Sequence, residues 1–586
     1  MEYRLLKENI KGRRDLLESR GIQDVDMFLS PDESMLQDQK ALANIEEGAQ
    51  LYLEAVSSDA KILVIVDSDC DGFTSSAALI NYTREVFGKD VEYRLHEGKQ
   101  HGLEDMIDDL TEGGEFYDLI ILPDSSSNDF EYHERLKRIG TKCLVIDHHE
   151  AAAPFSDNAI IINNQLSPEY KNKSLTGAGV VLQFLRQVDL MAGNLDRHKD
   201  YYDLAAVGII GDMGSVKEME NRFIIKEGLK CPTHNYFLTQ MYRKQAYSIT
   251  RDAGASDAEI SMALTPTSVA FYIVPLINAM IRAGTYEEKL RMFMAFLDGR
   301  VEVPSNKRGA KGEMVEVATE SFREATNAKS RQNRVKEQML QKVALKIKEG
   351  GLLANKLLII ELDETDKFPS ELNGVVANHL ASEYGMPTLV LRERDGVLKG
   401  SGRGVNDSGL ASFRDFLIDS RLIEFAEGHG NAFGAGIPVQ SIPELHQFAN
   451  TELKDIDFGE TILDIDFLFN AEDYYYIPDL IFELAADPQI WGMGNPEPLI
   501  GLENVRIPAG ELQAIGAKKD TLKFSYGGVT FVQFQAKEQI ARLKMIPDEN
   551  LMVTVVGTAN INEWGGRITP QIVVKDINIE GWEKAF

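Results

Sequence analysis

Two successive α/β domains followed by a small closed β-barrel are what this sequence predicts, on three observations. Short apolar runs alternate with amphipathic segments from Ile62 to about Asp212, the pattern of a parallel sheet with helices on both faces. The alternation restarts near Leu357 after a long polar stretch. Beyond Pro498 it gives way to short runs rich in β-branched and aromatic residues, separated by turn residues, as in a small barrel.

The elements follow in order. Residues 61–66, 118–122 and 142–146 read as buried strands ending in polar loops, and residues 75–87 and 129–139 have helical spacing. Asp67, Asp124 and Asp147 each follow the carboxyl end of one of those strands, the edge where open α/β sheets place their ligands. Residues 213 to about 300 read as mainly helical, and residues 305–312 as a basic, glycine-containing loop whose simplest role is a solvated surface. Residues 316–348 form a long polar helix pattern broken by Gly350-Gly351, a rigid connector between domains. A strand at 357–362, a helix at 374–384 and a strand at 388–391 open the second α/β domain, and an acidic connector follows Pro438. The barrel strands are expected at 521–526, 529–535, 551–558 and 571–574. The expected domains are residues 1–315 (first α/β domain, with an N-terminal extension), 316–350 (connector helix), 351–458 (second α/β domain) and 459–586 (linker and barrel).

A chain of 586 residues is too long for one core and fits about three or four domains. Its net charge of -30 favours solubility and argues against broad non-specific DNA binding. A local basic channel remains open to it, since salt confines a charge's influence to roughly 8–10 Å. Cys70, Cys143 and Cys231 are too few and too scattered for a disulfide framework or a zinc knuckle, which fits a reducing cytosol. The first twenty residues are charged, and no stretch approaches the roughly 20 apolar residues of a membrane span. A cytoplasmic protein without membrane contact is expected.

The chemistry concentrates at the strand ends. Asp67-Ser68-Asp69-Cys70-Asp71-Gly72 packs three carboxylates directly behind an apolar run. Adjacent carboxylates repel, so they take up protons or a cation, and a hard divalent ion with oxygen ligands suits them; an acidic turn closed by Gly72 is the plainer alternative. Asp147-His148-His149 leaves its strand with no spacer, so that one imidazole can bind metal while the other faces substrate. The run ending Gly211-Asp212 delivers another aspartate, which could equally be a helix-terminal or turn acid.

This set, DxDxDG, a strand-end Asp, DHH and a later Asp, resembles the DHH phosphoesterase superfamily. Arg20-Gly21-Ile22 with Phe28-Leu29-Ser30-Pro31 resembles the start of RecJ single-strand exonucleases. Met219-Glu220-Asn221-Arg222, Pro275-Leu276-Ile277-Asn278-Ala279 and Arg331-Gln332 are similar to RecJ segments in the same order. Gly374-Val375-Val376 through Pro387, Lys399-Gly400-Ser401-Gly402-Arg403 and Gly428-His429 resemble the DHH-associated domain. Trp491-Gly492-Met493-Gly494-Asn495-Pro496-Glu497-Pro498 and the stretch from Asn562-Glu563-Trp564-Gly565-Gly566 to Gln571 resemble the RecJ oligonucleotide-binding barrel. The chain departs from the pattern at Ser125-Ser126-Ser127-Asn128, in two extra residues between Gly98 and His101-Gly102-Leu103, and after His429.

The resemblance implies two divalent metal ions, manganese or magnesium, with Asp67, Asp69, Asp71, Asp124, His148 and Asp212 as ligands or immediate neighbours and Asp124 as a bridge. It implies that Asp147 orients His148 and that His149 contacts the scissile phosphate or assists proton transfer. A 5′-phosphate pocket would use Arg94, Arg282, Ser401 and Arg403; His429, between glycines, would meet a nucleotide or simply form a tight turn. Tyr526, Phe531, Phe534 and Trp564 are candidates for base stacking or for the barrel core. The implied activity is metal-dependent 5′-to-3′ hydrolysis of single-stranded DNA to 5′-mononucleotides in repair, recombination or replication, by a monomer with a helicase or single-strand-binding protein as further partner candidates. Two alternatives stand beside it: a DHH phosphodiesterase of short oligonucleotides or cyclic dinucleotides, which would not need a strand-binding barrel, and a non-catalytic replication scaffold, which would not need the full acid and histidine set.

Overall fold

The computed structural model describes residues 2–98, 100–151, 155–363, 366, 368–405, 409–456, 458, 462–543, 550–564 and 567–583. Strands Ile62–Val66, Glu92–Leu95, Leu119–Pro123, Lys142–Asp147 and Ile160–Asn163 form one wholly parallel sheet. Glu92–Leu95 flanks Ile62–Val66 on one side and Leu119–Pro123 flanks it on the other, so the winding direction reverses between Ile62–Val66 and Leu119–Pro123. A crevice opens at such a reversal, beyond the carboxyl ends of the strands. Asp67 and Asp124 are the residues that follow those two strands. Every residue of both strands is buried, because helices cover the sheet on both faces and leave no polar side to alternate with.

The helix after the first strand starts earlier than its spacing predicted, at Cys70–Phe87 rather than at residue 75. Asp69 caps it, its carboxylate accepting the Gly72 N–H at 3.0 Å, which satisfies one orphan donor of the first turn. Asp212 arrives at the end of a helix, Tyr202–Gly211, whose residues are buried all round. An apolar run without period is what such a helix shows in sequence. Two short helices, Pro266–Tyr272 and Val274–Ala283, together make an 18-residue stretch that by length and composition alone could cross a membrane, and half of that stretch is buried inside the protein.

The N-terminal segment packs on the other end of the chain. Glu2–Leu5 pairs with Ile462–Ile465, and Leu16, Leu17, Ile22, Val25 and Phe28 share a core with Trp491, Ile500 and Phe531. The Arg20 guanidinium donates to Asn495 Oδ1 at 2.7 Å and Pro496 O at 2.6 Å and ion-pairs Asp466 at 3.0 Å. Two motifs hundreds of residues apart thus form one joint, and burial of that ion pair is supported by further hydrogen bonds rather than by charge alone.

Helix Val317–Gly350 leads to the second α/β domain. Its sheet runs Phe425–His429, Ala432–Pro438, Val397–Arg403, Thr388–Arg394, Leu358–Leu362, and the last two strands are parallel. After Pro438 the acidic stretch is helical at Ile442–Glu452 and places Leu445 and Ala449 in this domain's core. The C-terminal sheet has seven strands in the order Phe467–Asn470, Leu499–Pro508, Asn550–Trp564, Arg567–Glu583, Val529–Gln533, Thr521–Tyr526, Gln513–Ile515. Register shifts at Met552/Val553 and Val556/Gly557 interrupt its long central ribbon, and such bulges bend a sheet around its core. Gly565 and Gly566 of the closing signature lie outside the described residues.

Candidate metal centre and phosphate pocket

Four elements of the catalytic domain deliver one cluster. Oxygens of Asp67, Asp69 and Asp124 lie within 4.8 Å of one another, as do ligand atoms of Asp71, His148 and Asp212. His148 Nε2 joins the two groups, at 3.2 Å from Asp124 Oδ1 and 3.4 Å from Asp212 Oδ2. Asp67 Oδ1, Asp124 Oδ1 and His148 Nε2 are buried without a hydrogen-bond partner. Buried polar atoms are rarely left so, and a donor set of carboxylate oxygens with one imidazole suits manganese or magnesium. The residues therefore fit a divalent cation centre.

The backbone is shaped to make this convergence possible. Asp124 has φ +66°, in the left-handed region that Asp tolerates better than most residues. A Cβ on Gly177 would stand 2.3 Å from Asp124 Oδ1, and one on Gly208 would stand 2.4 Å from Asp71 Oδ1. Only glycine allows those helices to approach so closely. Asp71 is already well supplied with donors: Oδ2 accepts from Gly177 N–H at 2.7 Å, and Oδ1 from Ala178 N–H at 3.0 Å and the Thr176 hydroxyl at 3.1 Å. It anchors the start of helix Gly177–Met191 as well as facing His148.

The electrostatics reflect crowded, buried acids. Burial, then Asp69, pushes the Asp71 carboxyl up to about 7. Burial and neighbouring aspartates also raise Asp124 and Asp212 well above the carboxylate range. Burial, helped by His149, pulls His148 down to about 3, so it is the neutral imidazole a metal requires. Burial disfavours a charged His149 as well, yet Asp147 lifts it to about 10.

Asp147 orients a different ring from the one expected. Its Oδ1 accepts from His149 Nδ1 at 2.7 Å and from the backbone N–H groups of His148 at 2.7 Å and His149 at 3.2 Å. It holds His148 only through the main chain. Burial would raise the Asp147 carboxyl, but the two histidines and Ser127 keep it well below the usual range.

The basic groups divide. Arg403 and Ser401 stand over Gly374, where a Cβ would lie 2.7 Å from Arg403 Nη2 and 3.5 Å from Ser401 Oγ. Burial, and then the nearby Arg282, lower the Arg403 pKa; Arg282 is lowered by burial and raised by Asp69. Among the described residues neither arginine ion-pairs a carboxylate. Arg94 is not brought to them. It ion-pairs Glu115 at 2.9 Å and lies against Tyr117, which precedes strand Leu119–Pro123 and so marks the opposite edge of the sheet. A residue on a strand can turn toward either end, and sequence spacing does not choose. His429 lies within electrostatic reach of His149: burial, then His149, lower its pKa. Arg414 links that strand to the catalytic domain by donating to Gly428 O and pairing with Glu150 at 3.4 Å.

Of the stacking candidates, Phe531 is wholly buried against Phe524, Tyr526 is half-buried and Phe534 is exposed, while the side chain of Trp564 lies outside the described set. Sequence reading missed Tyr474, Tyr475 and Tyr476, which are 45%, 59% and 57% exposed. Tyr474 packs edge-on to Tyr526 with centroids 6.0 Å apart. Three adjacent aromatics beside a barrel were the available signal. His101, 2.7 Å from Asp67, was also missed as a site residue.

A parallel sheet with acids and a His-His pair at its switch point, joined to a second α/β domain and a barrel, defines the DHH class. The DHH family, N-terminal domain, matches residues 61–209, and the RecJ OB domain matches residues 475–576. The chain is 35% identical to the SPbeta prophage-derived protein of Bacillus subtilis (strain 168) named single-strand DNA-specific exonuclease YorK, over 99% of this chain and 98% of the relative. It is 25% identical to the single-stranded-DNA-specific exonuclease RecJ of Thermus thermophilus, over 92% of this chain and 71% of that protein. The crystal structure of RecJ with Mn2+ from Thermus thermophilus shares the fold, with TM-score 0.72 and 22% identity over 96% of this chain and 75% of that one. The chain belongs to the RecJ-like exonucleases of the DHH superfamily.

Proposed function

We propose that this protein is a metal-dependent exonuclease that hydrolyses single-stranded DNA in the 5′-to-3′ direction and releases 5′-mononucleotides. The observation that carries the reading is the convergence of Asp67, Asp69, Asp71, Asp124, Asp212 and His148 on three buried, unpartnered ligand atoms. The names of its relatives, single-strand DNA-specific exonucleases, support the substrate class.

Asp67, Asp69, Asp124, Asp212 and His148 would hold two cations, manganese or magnesium, with Asp71 bracing the set. When bound, such a pair offsets charge on the phosphoryl group and lowers the pKa of a coordinated water. His149 is held as an imidazolium through Nδ1 by Asp147, which leaves Nε2 to donate to a phosphate oxygen or to the departing 3′-oxygen. Arg282 and Arg403, with Ser401, offer planar and hydroxyl donors to a terminal phosphate. That pocket lies within electrostatic reach of Asp69 through Arg282, so a strand anchored there by its 5′ end presents its first internal phosphodiester to the acids. The barrel then holds the following nucleotides. This reading extends to a cytoplasmic monomer in repair, recombination or replication, working beside a helicase or a single-strand-binding protein.

The test is a time course with manganese or magnesium on strands labelled separately at each end. A 5′ label is expected to leave first, as a mononucleotide, and Asp124→Ala is expected to lose cleavage. Earlier release of a 3′ label, or internal fragments, would overturn the polarity; undiminished cleavage by Asp124→Ala would overturn the metal assignment.

A further inference from the structure

Asp67 divides its two oxygens between different tasks. Oδ2 lies 2.7 Å from His101 Nδ1. A carboxylate that ligates a cation only accepts hydrogen bonds, so with metal bound the proton belongs on Nδ1 and the ring donates. Oδ1 is buried with no hydrogen-bond partner, and the Asp67 carboxylate belongs to the group in which an oxygen of each of Asp67, Asp69 and Asp124 lies within 4.8 Å of the others. A carboxylate with one oxygen fixed by an outer donor and the other turned to the ligand centre is how metal sites set the angle of a ligand.

The segment carrying His101 is tied down on several sides. His96 Nδ1 meets Asp105 Oδ1 at 2.8 Å. Lys289 Nζ donates to Glu97 O at 2.5 Å and the Ser68 hydroxyl to Gly98 O at 3.3 Å. The Leu103 N–H donates to Asp129 Oδ2 at 3.0 Å. Gly102, at φ +66°, passes so close to Asp129 that a Cβ would stand 2.4 Å from Oδ2. Asp129 also accepts from the Ser126 hydroxyl at 2.7 Å, in the loop that follows Asp124. One scaffold therefore sets the positions of both the His101 segment and the Asp124 loop. The His101 side chain is 47% exposed while the carboxylate it touches is 1% exposed, so the ring covers Asp67 from the solvent side.

We propose that His101 is a positioning residue of the metal centre: by donating from Nδ1 to Asp67 Oδ2 it holds Asp67 Oδ1 toward a divalent cation. This rests on the metal reading of Asp67 and adds a residue that the acid and histidine motifs do not include. It predicts an effect on cation affinity in the full-length protein without DNA.

The experiment is Mn2+ titration of the full chain, followed by calorimetry and by the electron paramagnetic resonance signal of free Mn2+. His101→Ala, His101→Asn and Asp124→Ala are compared with wild type, with melting temperatures in chelator as the check on folding. His101→Ala is expected to weaken Mn2+ binding about tenfold, and to raise the Mn2+ concentration needed for half-maximal cleavage while leaving kcat at saturating Mn2+ within about threefold. His101→Asn, whose side-chain amide N–H can take the place of Nδ1–H, is expected to recover most of the affinity. Wild-type Mn2+ affinity in a folded His101→Ala protein, with Asp124→Ala impaired, would overturn the role of His101 alone. Wild-type affinity in Asp124→Ala would overturn the metal reading beneath it. An asparagine variant as weak as alanine would overturn hydrogen-bond positioning.

Discussion

Gly177→Ala separates steric control of the metal centre from helix propensity, because the two predict opposite signs. Gly177 opens helix Gly177–Met191, and replacing a helical glycine by alanine ordinarily stabilises by up to about 1 kcal/mol. Here the added Cβ would stand 2.3 Å from Asp124 Oδ1 and 2.6 Å from its Cβ and Cγ, where ordinary contact begins near 3.4 Å. The carboxylate must therefore retreat by about 1 Å or the helix must shift. Asp124 has little freedom to comply, being 1% exposed, at φ +66° and 3.2 Å from His148 Nε2. Overpacking of this kind costs about 1–3 kcal/mol, enough to outweigh propensity, and a 1 Å displacement at a reacting centre costs about 100-fold in rate. The expected result is a lower melting temperature, weaker Mn2+ binding and a kcat reduced about 100-fold, with Gly510→Ala, which meets nothing within 4 Å, unchanged. A Gly177→Ala protein that melts higher, binds Mn2+ normally and cleaves at the wild-type rate would refute the steric argument.

Arg403→Ala and Arg282→Ala are expected to raise KM for 5′-phosphorylated strands by about 10- to 100-fold and to erase preference over 5′-hydroxyl strands; an intact preference would remove both residues from the terminal-phosphate pocket. Replacing Tyr475 and Tyr476 by alanine is expected to weaken binding of long single strands about tenfold with dinucleotide cleavage unaltered, and equal loss on both substrates would show that these rings serve the fold instead. Asp189 accepts from Tyr82 Oη at 2.6 Å and His198 Nδ1 at 2.8 Å; burial opposes its ionisation, but these donors hold it below the usual carboxylate range. A depressed acid contributes stability above its unfolded pKa of about 3.9 and loses it as pH falls through the lower folded value. Asp189→Asn should therefore lose less stability than wild type on acidification below about pH 4, and parallel melting curves would contradict this.

What the sequence by itself determined was the arrangement along the chain. Apolar runs ending in Asp67, Asp124 and Asp147 specify strands that present acids at one sheet edge, because a residue just past a buried strand has one direction in which to reach solvent. The polar helix before Gly351 and four of the late β-runs were legible too, since period and turn residues are local properties, whereas strands Phe467–Asn470, Leu499–Pro508 and Gln513–Ile515 of the same sheet were not read. What only the tertiary structure decided was which groups share a partner. Asp147 holds the His149 ring instead of that of His148 because the main chain turns between them. Arg94 is paired with Glu115, away from Arg282 and Arg403. The first thirty residues complete the C-terminal core, and Arg20 joins Asn495 and Asp466. His101 meets Asp67 because a tied-down loop carries it there. Periodicity specifies that a face or a charge must be satisfied; the choice among equally apolar or equally charged partners is made by packing, through contacts that are not local in sequence.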